Sequence, residues 1–374
     1  MLNIFRNSIS KTIIQSGCPL PRTINPINIK VVGVGGAGTN AISQLNDVYG
    51  KELEIIAINT DTQALQQISH LRTFAIGPLL TRGMGAGGRP EIGRKAMKES
   101  YQQISDLLSG ADVVFIAAGL GGGTGTGAAP IVAEIAKKQG SVAIGIISTP
   151  FKFEGLARFS VAQQGLTQIR HKVHSFVTLE NDRLLSKSLE GSTLSTAFSR
   201  SDQTLSQGIT GLVNILRYPG TINVDFADFR RVMSVPGSAF MSMSSAEGSG
   251  AVFEAVQNSI ESPLFVQPLK GCSNILLNVQ AGEDMLLSEL HEAANHLRQS
   301  TGTSTEIILG VHQSKQFRNR ADVTIFATGS DLSGICKDHA KSKTNKAYAD
   351  NSNIMTKYVN ANVYDMEYLP ERLL

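Results

Sequence analysis

Two glycine-rich segments are the part of this sequence best suited to chemistry. Residues 33–40 follow a strand-like run, residues 119–127 follow the apolar run 113–118, and a helix-like segment comes after each. Glycine adopts positive φ and lets backbone N–H groups approach a ligand, and the following helix presents the positive end of its dipole. The expected ligand is a chain of phosphates. A flexible linker would rarely separate a buried strand from an apolar helix.

The first segment taken alone also fits another ligand. Gly33, Gly35 and Gly38 match the G-x-G-x-x-G pattern, and Asp61 follows a strand-like run, where a dinucleotide-binding fold places its ribose-binding acid. A nicotinamide-dependent oxidoreductase is therefore an alternative, although it gives no role to the second glycine segment. The lysine of the common P-loop signature follows neither segment. Two segments favour a nucleoside triphosphate held by a different cradle.

A short acidic segment carries a second kind of chemistry. Asn223, Asp225 and Asp228 lie close together in the chain. Two carboxylates and an amide could polarise and position a water near a phosphate and help to hold a cation. Alternatively, Asp225 or Asp228 caps the helix expected near Phe229. Spacing alone favours the cap.

The hydrophobic pattern indicates which elements position these residues. Up to about residue 198, β-branched apolar runs alternate with helical segments, which predicts a parallel sheet with ligand loops at the carboxyl ends of its strands. From residue 202 to 218, apolar residues recur at helical spacing and predict one long helix that ends before Pro219. The segment 229–329 contains both helix and strand candidates and no glycine segment of similar strength.

These motifs together make the sequence resemble the FtsZ family, the prokaryotic relatives of tubulin. The signature is Gly-Gly-Gly-Thr-Gly-Thr-Gly at residues 121–127. Further motifs follow in the family's order at residues 29–36, 59–61, 82–88, 149–155 and 181–185. The resemblance covers residues 29–329 and implies a tubulin/FtsZ-like α/β fold. In it, a parallel-sheet GTP-binding domain joins a smaller α+β second domain through a long connecting helix.

The resemblance also implies what each residue binds. Glu154 and Arg158 match positions at the sugar and phosphate end of GTP. Asn181, Phe198 and Asp202 match positions around guanine. A carboxylate can accept hydrogen bonds from the N1–H and 2-amino groups of this base. Mg²⁺ is expected to bridge the phosphates, and no residue stands out as a metal ligand of its own. The phosphate-binding residues are Gly36, Ala37, Gly38, Thr39, Asn40, Gly123, Thr124, Gly125, Thr126 and Gly127.

Three residues depart from the family's pattern. Ala37 and Thr39 stand in a loop that is often all glycine, and Glu180 stands where many members have proline. Ala37 is harmless if its φ is negative, and the Thr39 hydroxyl could donate to a phosphate. None of the three changes removes a catalytic group.

In the family, the acidic segment completes the GTPase site of a neighbouring subunit. The resemblance therefore reverses the preference for a simple cap and assigns Asn223, Asp225 and Asp228 to catalysis. It implies chains that stack head to tail into open filaments, with GTP hydrolysis gated by assembly. A non-hydrolysing subunit that copolymerises with an active paralogue is a further hypothesis, which the intact acidic segment disfavours.

Composition narrows the class of protein. A net charge of +3 over 374 residues does not indicate nucleic-acid binding, and no apolar run approaches the roughly 18 residues that span a bilayer. Cys18, Cys272 and Cys336 are far apart and odd in number. This predicts free thiols in a reducing compartment.

The start of the chain predicts an address. Arg6, Lys11 and Arg22 precede the first acidic residue, Asp47, and hydroxyl-bearing residues lie among them. Such a segment is typical of a mitochondrial transit peptide, with a disordered extension as the alternative. Together with the resemblance it predicts a filament in the mitochondrial matrix that divides the organelle. A cytoplasmic, bacterial cell-division protein is the alternative.

We therefore predict five segments along the chain. The polar tail ends in a tip, residues 364–374, that binds a membrane-tethering partner or is inert. The segments are 1–28, a transit peptide or disordered extension; 29–203, the GTP-binding α/β domain; 204–222, the connecting helix; 223–329, the second α+β domain with the catalytic loop at its start; and 330–374, the C-terminal tail.

Overall fold

The structure is a computed structural model that describes residues 27–185, 193–218, 220–235, 238–262, 269–302 and 304–329. The predicted C-terminal tail, its tip and residues 1–26 of the predicted transit peptide lie outside these ranges. In the described part of the chain, ten strands form one sheet and twelve α-helices accompany it. None of these helices is both long and apolar enough to cross a bilayer.

The elements alternate along the chain much as the pattern predicts. The strands are β1 Ile29–Val34, β2 Glu54–Asn59, β3 Arg72–Ala75, β4 Val113–Gly119, β5 Val142–Thr149, β6 Ser175–Glu180, β7 Ser238–Glu247, β8 Asn274–Ala281, β9 Glu306–Gln313 and β10 Arg320–Thr328. The helices are α1 Gly35–Tyr49, α2 Thr62–Gln67, α3 Pro78–Thr81, α4 Pro90–Glu99, α5 Tyr101–Leu108, α6 Thr124–Lys138, α7 Leu156–Arg170, α8 Asn181–Leu185, α9 Leu194–Arg217, α10 Phe226–Met233, α11 Ala251–Ile260 and α12 Leu287–Thr301.

The sheet is parallel over most of its width. Its strand order is β3-β2-β1-β4-β5-β6-β7-β10-β8-β9. Neighbours from β3 to β7 are parallel, β10 is antiparallel to both of its neighbours, and β9 is parallel to β8. Two reversals cancel, so β8 and β9 run in the same direction as β6. The predicted α/β fold with a smaller α+β part is confirmed.

Helices cover both faces of the parallel strands, which is why these strands are almost entirely apolar. Alternate residues of a strand face opposite sides, so Val31 packs in one core with Leu205 and Leu212 of α9. Val32 packs in the other core with Val132 of α6. A third core lies beneath α11 and α12. Burial of apolar surface at about 25 cal/mol per Å² is the main term that holds these layers together.

The long helix α9 begins at Leu194, earlier than its apolar spacing predicts. Thr193 caps it, since its Oγ1 accepts a hydrogen bond from the backbone N–H of Thr196 at 3.2 Å. The first two turns hold few buried apolar residues, so periodicity could not reveal them. They carry instead Phe198, one of the residues assigned to guanine, and Asp202 follows directly after them. The domain boundaries given above stay predictions.

Candidate nucleotide-binding site

A cavity of about 420 Å³ lies at the carboxyl ends of β4, β5 and β6 and beside the start of α1. Ligand sites of open parallel sheets occupy this edge. Most of the predicted binding residues meet here. The described lining residues are Gly36, Ala37, Asn40, Gly119, Leu120, Gly122, Gly123, Thr124, Gly125, Ser148, Thr149, Pro150, Glu154, Arg158, Asn181, Phe198, Ser201 and Asp202.

The two glycine segments reach the cavity because each forms the start of a helix. α1 begins at Gly35 and α6 at Thr124, so both helices start inside their glycine segments, earlier than the sequence pattern indicated. Neither helix has a side-chain cap or an acidic residue in its first turn. The first N–H groups of each helix therefore remain donors without a side-chain partner, beside the positive end of the helix dipole. This arrangement suits phosphate, and Ala37, as a helical residue, has a harmless negative φ.

The glycine segments also touch each other, which explains two of their glycines. Gly35 has a φ of 73°, and a Cβ there would lie 2.8 Å from the backbone nitrogen of Gly125. A Cβ on Gly125 would lie 2.4 Å from the carbonyl oxygen of Gly119. A side chain at position 35 would push the two segments apart, and one at position 125 would distort the second segment itself. The hydroxyls of Thr124 and Thr60 share a hydrogen bond of 2.6 Å that ties α6 to the end of β2.

Two threonines predicted to bind phosphate do not line the cavity. The Thr39 hydroxyl is buried and donates to the carbonyl oxygen of Gly36 at 3.0 Å. This hydroxyl is engaged within α1, whereas the sequence suggested that it could donate to a phosphate. Thr126 accepts a hydrogen bond from the Gly121 backbone N–H at 3.0 Å. Both hydroxyls hold the glycine segments in shape.

Two glycines of the predicted set also lie outside the lining. A Cβ on Gly38 would lie 2.2 Å from the carbonyl oxygen of Ala117, where α1 packs on β4. A Cβ on Gly127 would lie 2.1 Å from the carbonyl oxygen of Pro90, where α6 meets α4. These glycines allow helices to approach their neighbours closely.

Opposite charges stand at the start of α7. Glu154 accepts a hydrogen bond from the Phe151 backbone N–H at 2.9 Å, and its other oxygen accepts from the Arg158 guanidinium. Arg158 is the one cationic side chain among the described lining residues. Its side chain is 58% exposed, so it is free to move toward an anionic ligand while Glu154 stays in place.

A flat, partly apolar wall forms the far end of the cavity. The Phe198 ring stands edge-on to the Phe151 ring, with centroids 5.3 Å apart and planes at 89°. It stays 38% exposed, which leaves surface for a planar base. One turn along α9, burial raises the pKa of Asp202 from 3.8 to about 6. Asn181, the first residue of α8, is buried beside this wall.

Some lining residues had no binding role assigned to them from the sequence. Ser148 and Thr149 end β5 and Pro150 follows it, just as the glycine segments follow β1 and β4, so the carboxyl-end rule could have found them. Ser201 belongs to no motif, yet its hydroxyl donates to Asn181 Oδ1 at 2.7 Å. Glu180, which replaces the family's proline, accepts a hydrogen bond from Arg183 Nε at 2.7 Å.

The structure does not bring the three predicted catalytic residues to the cavity. Asn223 Oδ1 accepts from the Gly220 backbone N–H, and Asp225 caps α10 by accepting from the Asp228 backbone N–H at 2.7 Å. The Asp228 carboxylate pairs with Arg231 at 2.7 Å. The helix cap considered from sequence is therefore present at Asp225.

The acidic segment lies toward the other edge of the sheet. Arg231 also pairs with Glu306 at 2.9 Å, and Glu306 is the first residue of β9. The helix α9 starts at the cavity with Phe198 and is 24 residues long, about 36 Å. At its last residue, Arg217 donates to the backbone carbonyl oxygen of Glu52, which lies just before β2, so α9 and the acidic segment that follows it reach the amino ends of the parallel strands. The cavity lies at their carboxyl ends. The two sets of predicted residues therefore occupy opposite edges of one molecule.

Asp61, the acid on which the dinucleotide alternative rests, has a different role. Its Oδ1 caps α2 by accepting from the backbone N–H groups of Gln63 and Ala64 at 2.9 and 3.2 Å. It does not line the cavity. The second glycine segment occupies the ligand-facing space instead.

Comparisons with known proteins match both halves of the chain. The model "Tubulin/FtsZ family, GTPase domain" matches residues 28–188, and the model "FtsZ family, C-terminal domain" matches residues 237–331. A solved FtsZ dimer of M. jannaschii, described as empty, is 34% identical with a TM-score of 0.77, over 87% of this chain and 92% of that chain. CetZ2 of Haloferax volcanii, described as a GTPγS-bound protofilament, is 21% identical with a TM-score of 0.70, over 83% and 96% of the two chains. The latter likeness shows the fold alone.

Proposed function

Because this chain belongs to the tubulin/FtsZ family, we propose that it is a GTPase that polymerises head to tail and hydrolyses GTP where two chains meet. The observation that carries the proposal is the placement of the cavity and the acidic segment on opposite edges of the sheet. A single chain cannot bring Asp225 to its own cavity. A second chain stacked in the same orientation can, through a heterologous contact that need not close.

Each part of the cavity binds a different part of GTP. The phosphates lie against the uncapped first turns of α1 and α6, where backbone N–H groups donate to them. Glu154 and Arg158 hold the sugar and phosphate end. Phe198 stacks on the base. The Asp202 carboxylate accepts hydrogen bonds from the N1–H and 2-amino groups of guanine.

Hydrolysis uses the acidic segment of the neighbouring chain. Asp225 and Asp228 accept hydrogen bonds from a water and increase its nucleophilicity, while Asn223 orients it toward the terminal phosphorus. General-base assistance of this kind contributes roughly 10²–10⁴-fold to a rate. Loss of the terminal phosphate removes ligand from the contact, which weakens it and lets the filament turn over.

Mg²⁺ fits this site if the phosphates of the nucleotide supply its ligands. In the described residues, no three His, Cys, Asp or Glu side chains lie close enough together to hold a metal ion. When bound, Mg²⁺ would neutralise part of the negative charge of the phosphates. Asn40 and Thr124 line the cavity, and their side chains would hold the waters of the bound ion.

Turnover of GTP per chain, measured over a range of concentrations of the full chain with sedimentation of the same samples, tests the proposal. The specific rate should rise with concentration and follow the pelleted fraction. A rate that is independent of concentration would mean that each chain carries a complete site.

A mixture of two inactive variants gives a sharper test. Asp225→Asn keeps the cavity and loses the acid, whereas Gly125→Ala disrupts the cavity and keeps the acid. Each variant alone should be inactive, and the mixture should recover turnover because one chain binds GTP and the other completes the site. A mixture as inactive as its components, with both variants folded and assembled together, would contradict a shared site.

We further propose that the filament acts in division of mitochondria from within the matrix. The support is the basic, acid-free composition of the first residues of the chain. Import of the full chain into isolated mitochondria, with shortening and protection from protease, is the expected result. Failure of import would favour the alternative, a cytoplasmic protein of bacterial cell division. In either setting, a membrane-tethering protein and a paralogue are candidate partners.

A further inference from the structure

Arg231 is the cationic side chain that contacts a predicted catalytic carboxylate in the part of the chain that the structure describes. Its Nη2 donates to Asp228 Oδ1 at 2.7 Å, and its Nη1 donates to Glu306 Oε2 at 3.1 Å. We propose that Arg231 is a further catalytic residue and that its guanidinium donates to the terminal phosphate of the GTP held by the neighbouring chain. The inference rests on the proposed function, because it requires a junction, in which the acidic segment of one chain meets the cavity of the next.

Arg231 enters the junction together with the acidic segment because both belong to the start of α10. The 3.6-residue period of this helix places Asp228 and Arg231, three residues apart, on the same face. Asp228 is assigned to the water that attacks the terminal phosphate. A guanidinium bonded to this carboxylate is therefore carried to the reacting groups by the same contact between chains.

The guanidinium is free to change partners. The side chains of Arg231, Asp228 and Glu306 are 53%, 41% and 47% exposed, and ion pairs this exposed contribute little to stability. A terminal phosphate carries more negative charge than one carboxylate and offers three acceptor oxygens. It can therefore draw Nη1 away from Glu306, while Nη2 keeps its bond to Asp228.

The charges that meet in the junction favour a cation at this place. The triphosphate faces Asp225 and Asp228 of the neighbouring chain, whereas Arg158 is the one cationic side chain among the described residues that line the cavity. Bound Mg²⁺ offsets only part of this negative charge. The repulsion grows as water is excluded from the contact, because the Coulomb energy varies inversely with the dielectric constant. Arg231 supplies a positive charge from the same segment that supplies the carboxylates.

This placement gives the guanidinium two tasks in hydrolysis. The water oxygen forms a new bond to the terminal phosphorus, and the bond from this phosphorus to the departing oxygen of GDP breaks. Nη1 stabilises the charge on the phosphate oxygens, as an arginine supplied by a second chain does in other GTPases. Nη2 holds Asp228 Oδ1 and leaves Oδ2 for the water. Arg231 neither gains nor loses a proton.

Arg231→Ala should lower kcat for GTP about 10- to 100-fold per pelleted chain, as expected for loss of one charge-assisted hydrogen bond made in the transition state. The affinity of the variant's own cavity for GTP should not change, because Arg231 lies outside its lining. The melting temperature should change little, since both ion pairs are exposed. Arg231→Lys, which keeps the charge and loses the fork, should retain part of the turnover.

Glu306→Gln separates this catalytic role from a structural one. If Arg231 served only to tie α10 to β9, loss of Glu306 would lower turnover as much as loss of Arg231. If Arg231 acts on the phosphate, Glu306→Gln removes a competitor for Nη1, and turnover per pelleted chain should stay at the wild-type value or rise. Arg230→Ala controls for net charge, because Arg230 lies about 100° around the helix from Arg231. It should keep wild-type turnover per pelleted chain.

Mixtures of variants test whether Arg231 acts on the neighbouring chain. The mixture of Asp225→Asn with Gly125→Ala is the reference, in which the second chain donates the acidic segment. Adding Arg231→Ala to the Gly125→Ala chain should abolish the recovered turnover. Adding it to the Asp225→Asn chain should leave the recovery intact, because that chain supplies only the cavity.

The outcomes separate this inference from the proposed function. Wild-type turnover that is independent of concentration would overturn the function, and the inference with it. Assembly-dependent turnover with a normal rate per pelleted chain in Arg231→Ala would overturn only the role of Arg231. Equal losses in Glu306→Gln and Arg231→Ala, or equal effects of Arg231→Ala on the two chains of the mixture, would also overturn that role.

Discussion

The cavity and the acidic segment differ in what their side chains already contact. Around the cavity, two helix starts have no side-chain caps among the described residues. In the acidic segment, Asp225 caps α10 and Asp228 pairs with Arg231. One region has groups left over for a ligand, and the other has its groups engaged within the chain.

The difference indicates why the cavity can be recognised as a binding site in a single chain and the acidic segment cannot. The first N–H groups of α1 and α6 have no side-chain acceptor among the described residues. They are therefore available to donate to a ligand. The acidic segment is stable as a surface, where its ion pairs contribute little, about 0–1 kcal/mol each. Its chemistry depends on an external phosphate. Variants that separate the local role of a residue from its role toward the nucleotide can break or sharpen this comparison.

The largest effect is expected at Asp225, where a cap and a catalytic carboxylate coincide. Asparagine caps helices as well as aspartate does, whereas alanine loses about 1 kcal/mol of stability. Asp225→Asn should therefore keep the melting temperature, and Asp225→Ala should lower it. Turnover of GTP should fall about 100-fold or more in both, with GTP binding retained. Thermal melting, turnover and nucleotide binding on the same samples check this.

A different result at Asp225 would be equally informative. Normal turnover per chain in Asp225→Asn, at a concentration where it assembles, would show that the carboxylate is only a cap. The comparison between the two edges would then reduce to a binding site and an ordinary helix start.

An intermediate effect is expected from pH through Asp202. Because burial raises the pKa of this carboxyl to about 6, it is ionised at pH 7.5 and mostly protonated at pH 5. Protonation removes the acceptor for guanine, so GTP affinity should fall about tenfold for each pH unit below the pKa. Equilibrium binding between pH 5 and pH 8 measures this, and Asp202→Asn should abolish the dependence.

The sign for stability without nucleotide is opposite. A folded-state pKa above the unfolded value of 3.8 favours the protonated form in the fold. The contribution of Asp202 is therefore fully present below pH 3.8 and is lost as the pH rises through about 6. An affinity for GTP that stays constant down to pH 5 would contradict a direct role of this carboxylate toward the base.

The smallest effect is expected at Thr39. Its hydroxyl bonds to Gly36 inside α1, so Thr39→Val should lower the melting temperature by a few degrees, equivalent to about 1 kcal/mol. GTP affinity should change by less than about threefold, a difference below 1 kcal/mol. Thr39→Ser, which keeps the hydroxyl, serves as the control. A large loss of affinity with an unchanged melting temperature would instead place the hydroxyl on a phosphate.

The layers of the fold and the location of the site could be predicted from the sequence. The strands are nearly continuous apolar runs, and their parallel order brings the ends of β1 and β4 together, with the glycine segments on them. Helix starts were less accessible, because glycine has a low helix propensity and hid the first turns of α1 and α6. The first turns of α9 likewise lack apolar periodicity.

Individual roles within the glycine segments could not be predicted. A glycine that faces a ligand and one that packs against a backbone, as Gly38 does on Ala117, are identical in sequence. The same holds for hydroxyls, since nothing local distinguishes Thr39, which bonds inward, from Ser201, which reaches Asn181. Both depend on contacts between segments distant in the chain.

The opposite placement of the two edges has an arithmetic consequence for the proposed filament. A stack of n chains contains n − 1 completed junctions, because the last cavity and the first acidic segment have no neighbour. A pair of chains thus turns over GTP at half the per-chain rate of a very long stack, even if every junction is equally fast. The average length of the stacks therefore sets the measured rate per chain without any change in the shape of the molecule, and any agent that shortens stacks acts as an inhibitor without touching a junction.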